Sequence, residues 1–544
     1  MQLSDIVKDR EALKQRWYDE GIFGRETIPD HLRAGATDHA DVQMIFHSDR
    51  RPVSTTVAGA YADSNRLAAA LYGLGIRPGD VVGVMLPTWY DTALAYHAVL
   101  KLGAVLLPMV TIFGPAEMSF VLTQSRAKAL IIPDYWRNHD FIGRFRKAGK
   151  LPDLEHVIVV GDQVPDTMVR WDGLLPPASA HRPRTRVDPE ALDADAVCAI
   201  IFTSGTTSAP KGVQHTHNTL LADIGPKAIA LTGAARPADT VFLNCWAPGH
   251  IGGLFYLTQP FMLGTATVYM DQWVPEVAAT LVEKYQVTAS SGTPFFLTSL
   301  LAAARKGGHD LSSLTSFGLG GASVTPEHVR LAMELGFRGG RAYGSTEHPT
   351  ISSAPVDAPE HKRAHTDGRV APNNEVRILD EESNDLPLEC DGEIVSRGPE
   401  LFVGYLDQAL DTESFLPGGW FRTGDIGRLD ADGYLTITDR KKDIIIRGGE
   451  NISSKAVEDV LVTHPAVLDA AAVAMPDEAM GERVCAFVTL HEGCSLSLEE
   501  VSAHFQQAGV ARQKTPERLV VIGEFPRTPS GKIKKFELRQ SLGA

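Results

Sequence analysis

Three short segments of this 544-residue chain place hydroxyls, glycines and charged side chains at spacings suited to phosphate chemistry. The first, Ile201 to Gly212, reads IFTSGTTSAPKG. Thr203, Ser204, Gly205, Thr206, Thr207 and Ser208 follow Phe202 without interruption, and Lys211 comes three residues later. Small residues let backbone N–H groups approach an anion, hydroxyls add donors and the lysine adds charge, so the segment suits a polyphosphate. It is not a G-x-x-x-x-G-K-[ST] loop, because Pro210 stands at the second glycine and Gly212 at the hydroxyl position. The second segment, GLGGAS from Gly318 to Ser323, fails G-x-G-x-x-G at its last residue. The third, YGSTE from Tyr343 to Glu347, ends a Gly-Ser-Thr turn in a carboxylate, the ligand type that a hard cation on phosphate oxygens prefers.

The apolar run VCAIIF just before the first segment reads as a buried strand, as do VVGVMLP, AVLLPM, ALIIP, HVIVVG, TVFLNC and TATVYM. Helical patterns intervene at 90–103, PEVAATLVEKYQ and PFFLTSLLAAAR. Such alternation predicts an α/β fold with helix-covered, mostly parallel sheets, whose strands deliver ligand-binding loops at their carboxyl ends. After about Glu375 the pattern turns to strands with tight turns, including a hairpin at Ala431-Asp432-Gly433, and predicts a β subdomain. From Ser453 the tail mixes two helices with three strands, predicting a small α+β C-terminal domain. The charged cluster DRKKD, Asp439 to Asp443, marks the boundary and divides the chain into 1–441 and 442–544.

Composition narrows the function classes. The net charge of −15 argues against a nucleic-acid groove and against docking on anionic membranes. Five scattered cysteines without a C-x-x-C fit a reduced compartment. A charged N-terminus and the lack of any membrane-length apolar run predict a cytoplasmic protein without integral membrane association.

Four motifs together resemble the adenylate-forming superfamily of acyl- and aryl-CoA synthetases, luciferases and peptide-synthetase adenylation domains. They are FTSGTTSAPKG, YGSTE, GWFRTGDIGRLDADGYLTITDRKKDIIIRGGENIS and PRTPSGK (Pro526 to Lys532), in the family's order. Ser208 departs from the family's usual glycine. The resemblance implies ATP, Mg²⁺ and CoA as cofactor and co-substrates, and a small-molecule carboxylic acid as partner. It implies that Thr203 to Thr207 and Lys211 hold phosphates, and that Glu347 ligates Mg²⁺. It places Tyr343 against adenine beside Gly344, with Gly320, Gly321 and Ala322 leaving room for the base. By the same resemblance Thr346 contacts the α-phosphate or the acid, Asp425 accepts the ribose hydroxyls, and Arg440 lies beside them. Lys532 becomes the catalytic lysine between carboxylate and α-phosphate. Lys442 becomes the hinge of a mobile C-terminal domain, whose second orientation brings Gly448 and Gly449 to a pantetheine tunnel. A homodimer and acetylation of Lys532 are further options that the resemblance leaves open.

NCWAPGHIGG, Asn244 to Gly253, matches the motif that faces the acid, with Trp246, His250 and Ile251 as candidate contacts. GIFGRETIPDHL and HTHNT are most similar to ligases for medium-chain and alicyclic acids and also resemble dihydroxybenzoate-activating enzymes. Ile251 replaces the Asn that reads a 2-hydroxyl in the latter, and no Asp is present to hold an amino acid's ammonium. An apolar acid joined to CoA is therefore the expected substrate. An aryl-acid enzyme loading a carrier protein is the alternative, and a non-catalytic ATP-binding module is the alternative of another class. The pair His215 and His217 has no third ligand nearby in sequence and is read as structural.

Overall fold

The computed structural model of the chain describes residues 2–175, 192–203, 210–231, 239–322, 324–447, 450–477, 480–528 and 531–542. Among these residues, β-branched apolar runs form two large sheets of eight and nine strands. In the eight-stranded sheet the inner strands Val197–Thr203, Val105–Pro108, Val81–Val84, Ala129–Pro133 and His156–Val160 run parallel. Val81–Val84 lies near the middle, and the chain winds outward from it in both directions, as in doubly wound folds. The nine-stranded sheet has a parallel core of Arg338–Tyr343, Ser316–Gly320, Ala289–Gly292, Val241–Asn244, Ala266–Met270 and Gln43–His47.

One apolar cluster joins the two sheets, drawing Phe46 and Tyr269 from one and Val82, Ile131 and Ala199 from the other. At its centre is the helix Tyr90–Lys101, every residue of which is buried. The buried charges of this helix are paired, Asp91 with Arg51 and Lys101 with Ser64 and Asn65. The expected end of this helix at Gly103 is nearly met: the regular turns stop at Lys101, Leu102 caps them, and Gly103 takes a φ of +66°, which a side chain would strain.

The expected β subdomain is an antiparallel five-stranded sheet that includes Glu375–Leu379, Gly392–Arg397, Trp420–Leu429 and Leu435–Arg440. Its hairpin turns where the sequence indicates, with Asp430 accepting from the backbone N–H of Asp432 and of Tyr434, and Gly433 at φ +79°. A last five-stranded sheet holds Ile445–Arg447, Glu450–Ile452, Val467–Asp477, Gly481–Leu490 and Arg518–Val521, covered by the helices Ser454–Leu461 and Leu498–Gln507. A third helix, Lys535–Leu542, adds to the two expected from sequence. It buries only Leu538 fully, too little for a periodic apolar signal.

Behind the YGSTE turn lies a pair of acids, Asp223 and Glu400. Glu400 is 4% exposed and accepts from Asn374, and burial pushes it up to about 7. Asp223 is raised as well, by burial first and then by Glu400. The folded state therefore keeps, above the usual carboxylate range, a proton that the unfolded chain has already released. Stability should fall as pH rises from about 4.5 to 7, where the unfolded state binds fewer protons. Denaturant unfolding across this range should show that fall, and Glu400→Gln should flatten it.

Candidate active site

Five parallel strands carry loop segments at their carboxyl ends, and three of them, ending at Thr293, Gly321-Ala322 and Tyr343, line one cleft. Val197–Thr203 ends in the Thr/Ser/Gly segment, Val241–Asn244 in CWAPGH and Ala289–Gly292 in Thr293. Ser316–Gly320 ends in Gly321-Ala322, and Arg338–Tyr343 in the GSTE turn. Facing them is the loop around the Arg527–Ile533 bridge from the far end of the chain. Between lies a cavity of about 490 Å³, lined by Gly321, Ala322, Tyr343, Gly344, Asp425, Arg440, Lys442 and Lys532 among others. Ser204, Gly205, Thr206, Thr207, Ser208, Gly448 and Gly449 lie outside the described residues.

The turn that carries Glu347 is tight enough to require glycine. A Cβ on Gly344 would stand 1.8 Å from the carbonyl oxygen of Pro349, and Ser345 N–H donates to the His348 carbonyl at 2.9 Å. The Glu347 carbonyl accepts from Phe402 N–H at 2.8 Å, and its Oε1 accepts from the Tyr405 hydroxyl at 2.8 Å. Lys211 Nζ lies 5.0 Å from the centre of the same Tyr405 ring, within cation–π reach. Strand pairing builds this junction: Thr203 faces Lys211 across the hairpin, and Val213 faces Tyr405 across the next ladder. The Thr346 carbonyl accepts from His215 Nε2 at 2.8 Å, and His217 Nδ1 accepts from Ile28 N–H at 3.3 Å. Burial pushes both imidazoles down to about 4, so they are neutral supports of the backbone at neutral pH.

Asp425 and Arg440 stand opposite each other in the antiparallel ladder. Arg440 Nε is 3.2 Å from Asp425 Oδ1, and the Tyr343 hydroxyl donates to Asp425 Oδ2 at 2.6 Å. Burial, reinforced by the Asp425 charge, holds the Tyr343 phenol above its ordinary range. Asp425 is 7% exposed, so its two neighbours supply what water would otherwise give.

Lys532 arrives on a short turn: Gly531 N–H donates to the Thr528 carbonyl at 2.8 Å, and Lys532 N–H to Thr528 Oγ1 at 3.1 Å. Gly531 adopts φ +81°, and a Cβ there would sit 2.6 Å from Thr293 Oγ1. The turn is thus pressed onto the start of helix Pro294–Gly307, with Arg527 held by Asp469 and over Phe295. The Lys532 head reaches the solvent of the cleft but is walled by protein. That desolvation first, and the Arg440 charge next, push the ammonium down to about 8, while Asp425 and Glu347 oppose the shift.

His250 caps the helix Ile251–Leu263, and Trp246 lies where a Cβ on Gly321 would come within 2.8 Å of its ring. Gly249 and Gly253 have no room for a side chain, since a Cβ would meet Val110 N at 2.6 Å and the Ala247 carbonyl oxygen at 2.2 Å. Burial, then Lys532, pushes His250 down to about 4, and among the described residues its Nε2 has no partner. Sequence reasoning missed Tyr405 and Thr293. Gly404-Tyr405 is an edge strand of two residues, too short for a periodic signal, and Thr293 is one hydroxyl between a strand and a Pro-started helix. Among the described residues no three His, Cys, Asp or Glu side chains gather into a metal cluster, so a cation here would rest on Glu347 and on ligand oxygens.

The chain belongs to the AMP-binding enzyme family, whose pattern matches residues 32–406, with the C-terminal domain pattern of the same family matching 456–532. It is 35% identical to the medium-chain fatty-acid–CoA ligase of Escherichia coli, over 98% of this chain and 93% of that protein. It is 32% identical to the salicyl-AMP ligase / salicyl-S-ArCP synthetase of Mycobacterium tuberculosis, over 96% of this chain and 92% of that protein. Among solved structures it is similar to o-succinylbenzoate CoA synthetase of Bacillus subtilis in complex with its acyl-adenylate, with a TM-score of 0.77 and 27% identity over 94% of this chain and 98% of that one. The α/β fold, the small C-terminal unit and the adenylate-forming class expected from the motifs therefore stand. No described helix is long and apolar enough to cross a membrane.

Gly344→Ala should force the turn away from Pro349. We expect the change to lower unfolding free energy by about 1–3 kcal/mol in urea titrations, and to weaken AMP binding measured by calorimetry.

Proposed function

We propose that this chain activates a carboxylic acid with an apolar body and joins it to CoA in two half-reactions. A carboxylate oxygen attacks the α-phosphorus of ATP, the bond to the β-phosphate oxygen breaks, and pyrophosphate leaves. The CoA sulfur, as thiolate, then attacks the acyl carbon and AMP departs, giving the thioester. The observation that carries this reading is the meeting of Lys532 with Asp425, Arg440 and Lys442 around one cavity at the strand ends.

In the first half-reaction two anions must approach at one phosphorus while charge collects on its oxygens. Lys532 supplies a cation there, and the proposal assigns it the bridging position between carboxylate and α-phosphate. Thr346 and the hydroxyls and N–H groups from Thr203 to Thr207 orient the phosphates, with Lys211 adding charge. Asp425 accepts the ribose hydroxyls in place of its present donor Tyr343, and freed from that bond the Tyr343 ring lies along adenine over Gly320, Gly321 and Ala322. Glu347, with Oε1 already fixed by Tyr405, offers a hard oxygen that fits Mg²⁺. When bound, that ion neutralises phosphate charge. His250 stays neutral and faces the acid without adding a second cation. Ile251 has no hydrogen-bonding group, which supports an apolar rather than a 2-hydroxy acid.

The second half-reaction needs Lys532 withdrawn and a thiol admitted. Rotation about Lys442 would exchange the Lys532 turn for the segment with Gly448 and Gly449, where any side chain would narrow the pantetheine path. Acetylation of Lys532 would remove its charge and stop only the first half-reaction.

Three outcomes are expected. Protein supplied with Mg-ATP, CoA and a suitable acid from a panel should release AMP and pyrophosphate, whereas ADP and phosphate would exclude the reading. Lys532→Ala should abolish acid-dependent ATP–pyrophosphate exchange but still convert supplied acyl-adenylate to thioester, and Gly449→Leu should do the reverse. Loss of one and the same half-reaction in both variants would contradict the domain rotation. Because the ammonium form of Lys532 is the active one and titrates at about 8, kcat/KM for adenylation should fall as pH rises through that value.

A further inference from the structure

Beside Trp246, whose ring approaches the cavity-lining Gly321, three polar groups meet. The Trp246 indole N–H donates to Ser291 Oγ at 3.0 Å, and the Tyr256 hydroxyl lies 2.6 Å from the same oxygen. Each comes from a different element. Trp246 follows the strand Val241–Asn244, Ser291 is on Ala289–Gly292, and Tyr256 is on the helix that His250 caps. All three residues are only half-buried. Trp246 is pinned on both sides, by Asn244 through its backbone and by its close approach to Gly321 and Gly252. The Tyr256 ring stacks on Phe242, with centroids 4.6 Å apart and planes 12° from parallel.

Counting protons shows what this cluster lacks. An indole can only donate, and a serine and a tyrosine hydroxyl each have one proton to give. The contact between the two hydroxyls uses one of those protons. Whichever residue donates it, the other O–H has no acceptor among the described residues. Gln259, three residues beyond Tyr256 and so on the same face of the helix, adds a second unmet demand. It is 6% exposed, and neither of its amide atoms has a partner among the described residues. A purely hydrocarbon tail placed here would leave these donors unpaired, while an oxygen would pair with them.

We infer that the acid pocket is built for an acid whose otherwise apolar body carries one hydrogen-bond-accepting oxygen away from the carboxylate, read by Ser291 and Tyr256. This rests on the ligase reading above and deepens it. Ile251, at the start of the helix, disfavours a hydroxyl next to the carboxylate, and the Ser291–Tyr256 pair, one and a half turns further on, selects an oxygen deeper in. A ring ketone or ether fits that demand, because it accepts a proton and gives none.

The test compares cyclohexanecarboxylate with its 3-oxo and 4-oxo analogues in acid-dependent ATP–pyrophosphate exchange on the full chain. At least one oxo acid should exceed the parent in kcat/KM by about tenfold. Either single change, Ser291→Ala or Tyr256→Phe, still leaves one spare hydroxyl donor, as in the unmodified pair, so each should keep the preference, while the double variant should bring the ratio to about one. If neither oxo acid outranks the parent in the unmodified protein, the inference is overturned, whatever the variants do. An undiminished preference in the double variant overturns it as well. Activity with the parent acid in those cases would leave the ligase reading intact, whereas no exchange with any acid of a broad panel would overturn both.

Discussion

Like charges held close together are the constraint on which the rest of this structure turns. Arg440, Lys442 and Lys532 line one cavity, and burial first, then both of the other cations, push the Lys532 ammonium toward neutrality. In a chain of net charge −15 such crowding is a local choice, not a reflection of composition. Asp425 and Glu347 offset it only in part, since Asp425 is already engaged by Arg440 and Tyr343, and one oxygen of Glu347 by Tyr405. A polyanionic ligand completes the balance.

Everything larger serves to bring these groups together. Parallel strands end at one edge of their sheet, so neighbouring strand ends can supply loops to one cleft, as Thr293, Gly321 and Tyr343 do here. Close packing then limits where those loops lie: Gly344 against Pro349, Gly249 against Val110 and Gly531 against Thr293 are approaches that only glycine permits. The wholly buried helix Tyr90–Lys101 fixes the loop to His250 through the Tyr96 hydroxyl, which donates to the Pro248 carbonyl at 2.6 Å. A change deep in the core therefore reaches the loop before His250 through one hydrogen bond.

Much of this was legible in the sequence because the relevant signals are local. Val197–Thr203 is apolar until it becomes hydroxyl-rich, and that change of composition marks both the strand and its ligand loop. Tyr343 to Glu347 carries a glycine where a turn needs one and a carboxylate where a cation would bind. Contacts between distant segments were not legible. Nothing near Gly404-Tyr405 announces that this edge strand will orient Glu347, or that Lys211 will sit over its ring. Nor does the sequence announce that Ser291 and Tyr256, brought together by the packing of a helix on a sheet, meet beside Trp246. The helix Lys535–Leu542 escaped notice because it buries one leucine fully and is otherwise polar.

In the proposed reaction, carboxylate and α-phosphorus form a covalent mixed anhydride within this cleft. Supplying a carboxylic acid labelled with ¹⁸O in both oxygens, together with ATP and CoA, and analysing the products by mass spectrometry tests that bond directly. The account predicts one labelled oxygen in AMP for each thioester formed and none in pyrophosphate. Label in pyrophosphate or inorganic phosphate, with AMP unlabelled, would contradict it.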